Sequence, residues 1–164
     1  MDMFERLGLA RCFSVDLEAL ESGYLARSRS LHPDFYQLGA ASEQAASLEL
    51  SAALNEAYST LKNPFRRAEY LLQLEGGPTA SEIKDVPTEF LEEMLELRME
   101  IADIERDSSE AAEMEKRMRV RRDALLEQVG QQLATTDSTR LLAIRKLLNA
   151  TKYVENLLRD LRAL

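Results

Sequence analysis

The residues best suited to chemistry form one cluster, His32, Pro33 and Asp34, which contains the only histidine of the 164-residue chain. An adjacent imidazole and carboxylate could act as an acid–base pair, but the sequence places no serine or cysteine to serve as nucleophile. The cluster also lacks the further ligands of a zinc site. A turn would explain Pro33, which fixes φ, and Asp34, which can hydrogen-bond its own backbone. It would not explain why a histidine stands at position 32. An acid–base enzyme stays open as an alternative.

Composition and charge exclude several other classes of protein. The net charge of −8 repels phosphate backbones, so nucleic acid is not an expected partner. No apolar run exceeds four residues, far short of a membrane-spanning helix, so no membrane association is expected. The single cysteine, Cys12, allows neither an internal disulfide nor a cysteine-cluster metal site. The acidic N-terminus predicts no signal or transit peptide, and we expect a cytoplasmic protein that needs no cofactor.

The elements that must position the cluster are helices. Ala, Leu, Glu, Gln and Arg dominate the chain, and alternation of β-branched residues is nowhere sustained, so the sequence predicts an all-α protein. In the first part we expect helices at residues 16–31, 42–61 and 65–74. Asp16 is suited to cap the first of them, and Pro64 to open the third. The His32 cluster would then lie in the loop between two helices.

The remainder of the chain predicts a linker and a bundle. Residues 75–87 hold two of the four prolines and two of the six glycines, as is typical of a linker. Further helices are expected from Pro87 to about residue 104, from a capping box that begins at Asp107 to about residue 135, and over residues 137–164. Short connections favour an antiparallel three-helix bundle. The predicted organisation is one domain at 1–75, a linker at 76–87 and a bundle at 88–164.

This arrangement resembles a J-domain, in which a His-Pro-Asp loop joins a helical hairpin and a short helix follows. The segments NEAYSTL at 55–61 and RAEYLL at 67–72 resemble those of one J-protein family, the iron–sulfur co-chaperone family HscB. Its members join a J-domain to a C-terminal three-helix bundle, and FLEEMLELR at 90–98 resembles the start of that bundle. The chain is more similar to bacterial members, because Cys12 alone cannot form the paired CxxC motifs of eukaryotic ones.

The resemblance implies an adaptor without catalysis of its own. In this family the J-domain stimulates ATP hydrolysis by a DnaK-type chaperone, usually HscA, and the bundle delivers an IscU-type iron–sulfur scaffold to that chaperone. A J-protein whose bundle binds a different client is the alternative. Carried over by position, the chaperone-binding residues would be His32, Pro33, Asp34, Arg27 and Arg29. The scaffold-binding residues would be Leu91, Leu95, Glu92, Glu96 and Met99.

Simpler interpretations of these residues stay open. Arg27 and Arg29 could belong to a solvated helix face, and Leu91 and Leu95 could be core residues of the bundle. Phe35 stands where members commonly carry a lysine, and Gly23 interrupts the helix before the loop. Where the family often places an aromatic residue on the scaffold face, this chain has Asn149. We therefore expect part of the apolar patch on the scaffold face to be missing, or to be displaced to Leu148 or Tyr153.

Overall fold

The structure is a computed structural model that describes residues 1–31 and 39–163. His32, Pro33, Asp34 and Phe35 lie outside the described residues. Within the described ranges the chain is helical and contains no strand, which confirms the all-α class. No helix in these ranges is long and apolar enough to cross a membrane. The helices are α1 (Met3–Arg6), α2 (Leu17–Ser30), α3 (Ala41–Lys62), α4 (Pro64–Leu74), α5 (Thr88–Ala102), α6 (Ser109–Leu133) and α7 (Arg140–Ala163).

The chain forms two compact units, Met1–Leu71 and Leu72–Leu164. The boundary falls a few residues before the end of the predicted J-domain, and the predicted linker at 76–87 belongs to the second unit. Helix α1 was not among the helices predicted from the sequence. This short helix begins with a capping box in which Asp2 and Glu5 each accept a hydrogen bond from the other's backbone N–H.

In the first unit, α2 and α3 pack against each other as the predicted hairpin. Asp16 caps α2, because its carboxylate accepts hydrogen bonds from the backbone N–H groups of residues 18 and 19. The rings of Tyr24 and Tyr58 stack across the two helices with their centroids 4.2 Å apart. The Tyr24 hydroxyl also donates to Asn55 Oδ1 at 2.7 Å. The core of this unit is filled by Phe4, Leu7, Leu20, Leu54, Ala57, Leu61, Ala68 and Leu71.

Arg67 fastens three segments of the first unit together. Its side chain is buried, with its guanidinium 5.1 Å from the ring centroid of Phe13. Nε donates to the Phe13 carbonyl at 2.8 Å, and Nη1 donates to the Leu61 carbonyl at 2.6 Å. Leu61 lies in the last turn of α3, whose carbonyls have no partner within the helix. Burial lowers the pKa of Arg67, although an arginine stays charged at any pH of interest.

The second unit begins at the end of α4, which closes in a Schellman motif. Gly77 N–H donates to the Leu72 carbonyl, Gly76 N–H donates to the Gln73 carbonyl, and Gly76 has a φ of 75°. A left-handed glycine at this position is the usual way to end a helix. Glu75 then forms an ion pair with Arg140, the first residue of α7. The predicted linker is therefore held to the bundle at its start.

Helices α5, α6 and α7 form the predicted bundle. Its core contains Phe90 and Leu97 from α5, Met114, Met118, Leu125 and Val129 from α6, and Ile144, Leu148, Ala150, Val154 and Leu158 from α7. The predicted capping box at Asp107 is wrong by one residue. Ser108 caps α6 by accepting from Ala111 N–H at 3.1 Å, while Asp107 has a φ of 54° and ends the preceding turn. An N-cap residue usually has an extended backbone, which Ser108 has and the left-handed Asp107 does not.

The buried contacts of Arg67 predict a loss of stability on its removal. Arg67→Met keeps the apolar stem but leaves the Phe13 and Leu61 carbonyls without donors. We expect the free energy of unfolding to fall by about 2 kcal/mol, measured by denaturant titration. Arg66→Met is the matched control, because Arg66 pairs with an exposed Glu56 and should change stability by less than about 1 kcal/mol. Equal effects of the two substitutions would contradict the fastening role of Arg67.

Candidate partner-docking surfaces

The candidate docking surface is an apolar stripe on the solvent side of α5. Leu91, Leu95 and Met99 recur every four residues, so they align along one side of the helix. Their exposed fractions are 50%, 65% and 72%, which are large values for apolar side chains. The interpretation of Leu91 and Leu95 as core residues is therefore wrong. Such a stripe on a packed helix is a typical protein-binding surface.

The rotation of α5 is fixed by the opposite side of the helix. Phe90 is almost wholly buried and meets the Tyr153 ring of α7 edge to face, with their centroids 6.1 Å apart. On the α6 side, Arg121 lies 5.7 Å from the Phe90 centroid and donates to Glu93 at 2.6 Å. Because these contacts hold one side inward, the Leu91 side must face solvent.

Acidic side chains flank the stripe. Glu92 and Glu96 are exposed, and within the described part of the chain neither forms an ion pair. By contrast, Glu93 and Glu100 of α5 form ion pairs with Arg121 and Arg117 of α6. The carboxylates beside the stripe therefore remain available to a partner. The surface combines apolar contact area with negative charge, so it is suited to an apolar patch edged by basic residues.

The expected displacement of apolar area to Leu148 is wrong, because Leu148 is completely buried in the bundle core. Tyr153 is half-buried beneath α5, and the Arg98 guanidinium lies 5.7 Å above its ring centroid. The Tyr153 hydroxyl is buried and has no hydrogen-bond partner among the described residues. Asn149 binds the linker and does not provide apolar area. Its amide donates to the backbone carbonyls of Ile83 at 3.0 Å and Asp85 at 2.8 Å.

On α2 the two candidate arginines have different surroundings. Arg27 is half-buried, and its Nη1 donates to the Gly23 carbonyl at 3.3 Å. A Cβ atom at Gly8, whose φ is 70°, would come within 2.5 Å of Arg27 Nη2. A Cβ at Gly23 would lie 2.9 Å from the Leu7 carbonyl oxygen, which explains a glycine inside this helix. Arg27 is thus folded back on its own unit.

Arg29 is exposed and forms no ion pair within the described residues. Residues two apart on a helix do not share a face, so Arg27 and Arg29 are not brought together as one basic surface. His32, Pro33 and Asp34 follow directly in sequence but lie outside the described residues. Of the two predicted chaperone-binding arginines, Arg29 is therefore the one whose charge has neither an ion-pair nor a hydrogen-bond partner among the described residues. Among the residues that the structure describes, no cluster of three or more carboxylate, cysteine or histidine side chains could hold a metal ion.

Comparison with known proteins gives consistent matches. A family model described as the HSCB C-terminal oligomerisation domain matches residues 86–162. The co-chaperone protein HscB of Proteus mirabilis strain HI4320 is 34% identical over 171 residues, covering 98% of this chain and 99% of that protein. The chaperone HscB from Vibrio cholerae superposes with a TM-score of 0.83 at 28% identity, covering 99% of this chain and 96% of that one. The human co-chaperone protein HscB gives a TM-score of 0.87 at 25% identity, covering 99% and 81%.

The exposure of the stripe predicts a contrast in stability along α5. The double substitution Leu91→Ala and Leu95→Ala should lower the free energy of unfolding by less than about 1 kcal/mol, because both side chains already face water. Leu97→Ala, on the buried side of the same helix, should cost about 2–5 kcal/mol. Denaturant titration of the two variants measures both effects. A double variant as unstable as Leu97→Ala would mean that the stripe is part of the core.

Proposed function

The chain belongs to the HscB family of co-chaperones, and we propose that it is an adaptor between a chaperone and an iron–sulfur scaffold. Its first unit would stimulate ATP hydrolysis by an HscA- or DnaK-type chaperone. Its bundle would bind an IscU-type scaffold, and the cluster on that scaffold is the cargo. The proposed compartment remains the cytoplasm, as predicted from the sequence.

The observation that carries the scaffold half of the proposal is the exposed stripe on α5. The side chains of Leu91, Leu95 and Met99 are each at least half exposed, so the stripe leaves apolar surface in contact with water, which is unfavourable. Binding of a partner would remove this area from water. Glu92 and Glu96 beside the stripe would orient a basic partner edge and speed its association.

The chaperone half of the proposal rests on the loop that contains His32, Pro33 and Asp34. Its three residues match the His-Pro-Asp signature by which the family stimulates its chaperone. Arg29 supports this assignment. It is an exposed cation beside the loop of an otherwise acidic protein, so it can attract an acidic chaperone surface and orient its approach. Arg27 is a weaker candidate, since its guanidinium is engaged with the Gly23 carbonyl. We assign it to the stability of the first unit.

Family membership disfavours the alternative of a J-protein with a different client. The family is one of co-chaperones, so it also gives no support to an acid–base enzyme at His32 and Asp34. Both alternatives differ from the proposal in their partners, which the following experiments measure directly.

The stripe predicts a specific loss of scaffold binding. The double substitution Leu91→Ala and Leu95→Ala should raise the Kd for an IscU-type scaffold at least about tenfold, because a few residues near the centre of an interface carry most of its binding energy. Val120→Ala is the matched control, since Val120 is 65% exposed, as is Leu95, but lies on α6. Isothermal titration calorimetry compares the three proteins. Unchanged binding by the double variant, at unchanged helicity, would contradict the assignment of this surface.

The loop predicts a separable loss of chaperone stimulation. His32→Gln should abolish the stimulation of ATP hydrolysis by the chaperone, because no other imidazole in the chain could replace this side chain. The same variant should bind the scaffold normally and keep its circular dichroism spectrum. A steady-state ATPase assay with the chaperone and without scaffold measures the effect. Stimulation retained by His32→Gln would contradict the proposed mechanism.

A further inference from the structure

Asn149 makes a set of hydrogen bonds that ties the linker to the bundle. Its Nδ2 donates to the carbonyls of Ile83 and Asp85, and its Oδ1 accepts from Arg145 Nε at 3.1 Å. Arg145 is 2% exposed, so a buried side chain fixes the orientation of the Asn149 amide. The Ile83 and Asp85 carbonyls lie outside any helix, so they have no partner in regular secondary structure, and Asn149 provides their hydrogen-bond donors.

The linker around these carbonyls is locally ordered. Thr79 accepts from Glu82 N–H and donates to the Glu82 carboxylate, and Ile83 N–H donates to the Thr79 carbonyl. The segment then leads directly into α5, whose N-cap Pro87 provides no side-chain hydrogen bond. The contacts of Asn149 with residues 83 and 85 therefore hold the chain in place just before α5 begins.

The Asn149 contacts lie next to the apolar stripe. Arg98 follows Leu91 and Leu95 at helical spacing, so it lies on the stripe side of α5. Its guanidinium stands over the ring of Tyr153, which is one turn after Asn149 on the same side of α7. A continuous surface thus runs from the stripe across Arg98 and Tyr153 to the linker.

We propose that residues 83–87 belong to the scaffold-docking surface, together with the apolar stripe and the acidic residues beside it. Asn149 is the positioning residue that holds them there. The half-buried side chains of Ile83, Val86 and Pro87 would supply the apolar area that an aromatic residue at position 149 would otherwise provide. This inference rests on the proposed function, because the partner is the same IscU-type scaffold. A segment fixed before binding loses less conformational freedom on binding, which favours affinity.

The test uses the full chain and two variants of Asn149. Asn149→Leu removes all its hydrogen bonds at similar size, whereas Asn149→Asp keeps the size and polarity but cannot donate. Asn156→Leu is the matched control, because Asn156 is also half-buried on α7 and forms no hydrogen bond within the described residues. The exposed Lys84 lies between the two bonded carbonyls, so limited trypsin cleavage after Lys84 reports release of the linker.

We expect both Asn149 variants to be cleaved after Lys84 about tenfold faster than the wild type, because cleavage follows the population of the released linker. The Kd of Asn149→Asp for an IscU-type scaffold should rise about fivefold, because this variant releases the linker without adding apolar area. Both variants should stimulate the chaperone without scaffold as the wild type does. Asn156→Leu should match the wild type in all three measurements. In the wild-type protein, saturating scaffold should slow cleavage after Lys84, a readout that needs no substitution.

Several results would overturn the inference. Faster cleavage of Asn149→Asp with unchanged scaffold affinity would mean that the linker is outside the docking surface. Unchanged cleavage of both variants would mean that Asn149 does not hold the linker. Cleavage of the wild type that is indifferent to bound scaffold would exclude the linker from the interface even if both Asn149 variants fail to fold. Failure of the wild type to bind scaffold at all would instead refute the proposed function.

Discussion

Burial of Phe90 determines which side of α5 faces the solvent, and the docking surface depends on that rotation. The ring is enclosed by Tyr153 of α7 and by the Arg121 guanidinium of α6. A rotation of α5 that hid Leu91 or Leu95 would pull Phe90 out of the core and expose its ring, which would cost about 1.5–3 kcal/mol. The apolar stripe is therefore exposed because the bundle is well packed. One helix serves both purposes by carrying apolar residues on two sides.

In each unit one polar side chain secures an irregular segment by donating hydrogen bonds to backbone carbonyls. In the first unit, Arg67 donates to the Phe13 and Leu61 carbonyls, and in the second, Asn149 donates to those of Ile83 and Asp85. Each side chain supplies donors to backbone carbonyls that have no partner in a regular helix or sheet. Neither segment needs regular secondary structure to hold a defined position. The linker before α5 is thereby part of the bundle and carries the chain to the docking surface.

Local signals in the sequence predicted the helices well, because capping and helix-breaking residues act within a few positions. Asp16 caps α2 and Pro64 opens α4, as their residue types indicate. Distant contacts could not be predicted in this way. Arg27 was expected to face a partner, but Gly8 and Gly23 leave room for its guanidinium on its own unit. Likewise, Asn149 looked like a missing aromatic residue, since nothing near it in sequence identifies the linker carbonyls as its partners.

The central claim is that the two units serve one task, which steady-state ATP hydrolysis by the cognate HscA- or DnaK-type chaperone tests most directly. This protein and an IscU-type scaffold are added to the chaperone singly and together. The account predicts synergy, with a rate for both together that exceeds the sum of the two separate stimulations, because the adaptor raises the effective concentration of scaffold at the chaperone. A rate with both that equals the sum of the separate effects would contradict the coupling of the two units.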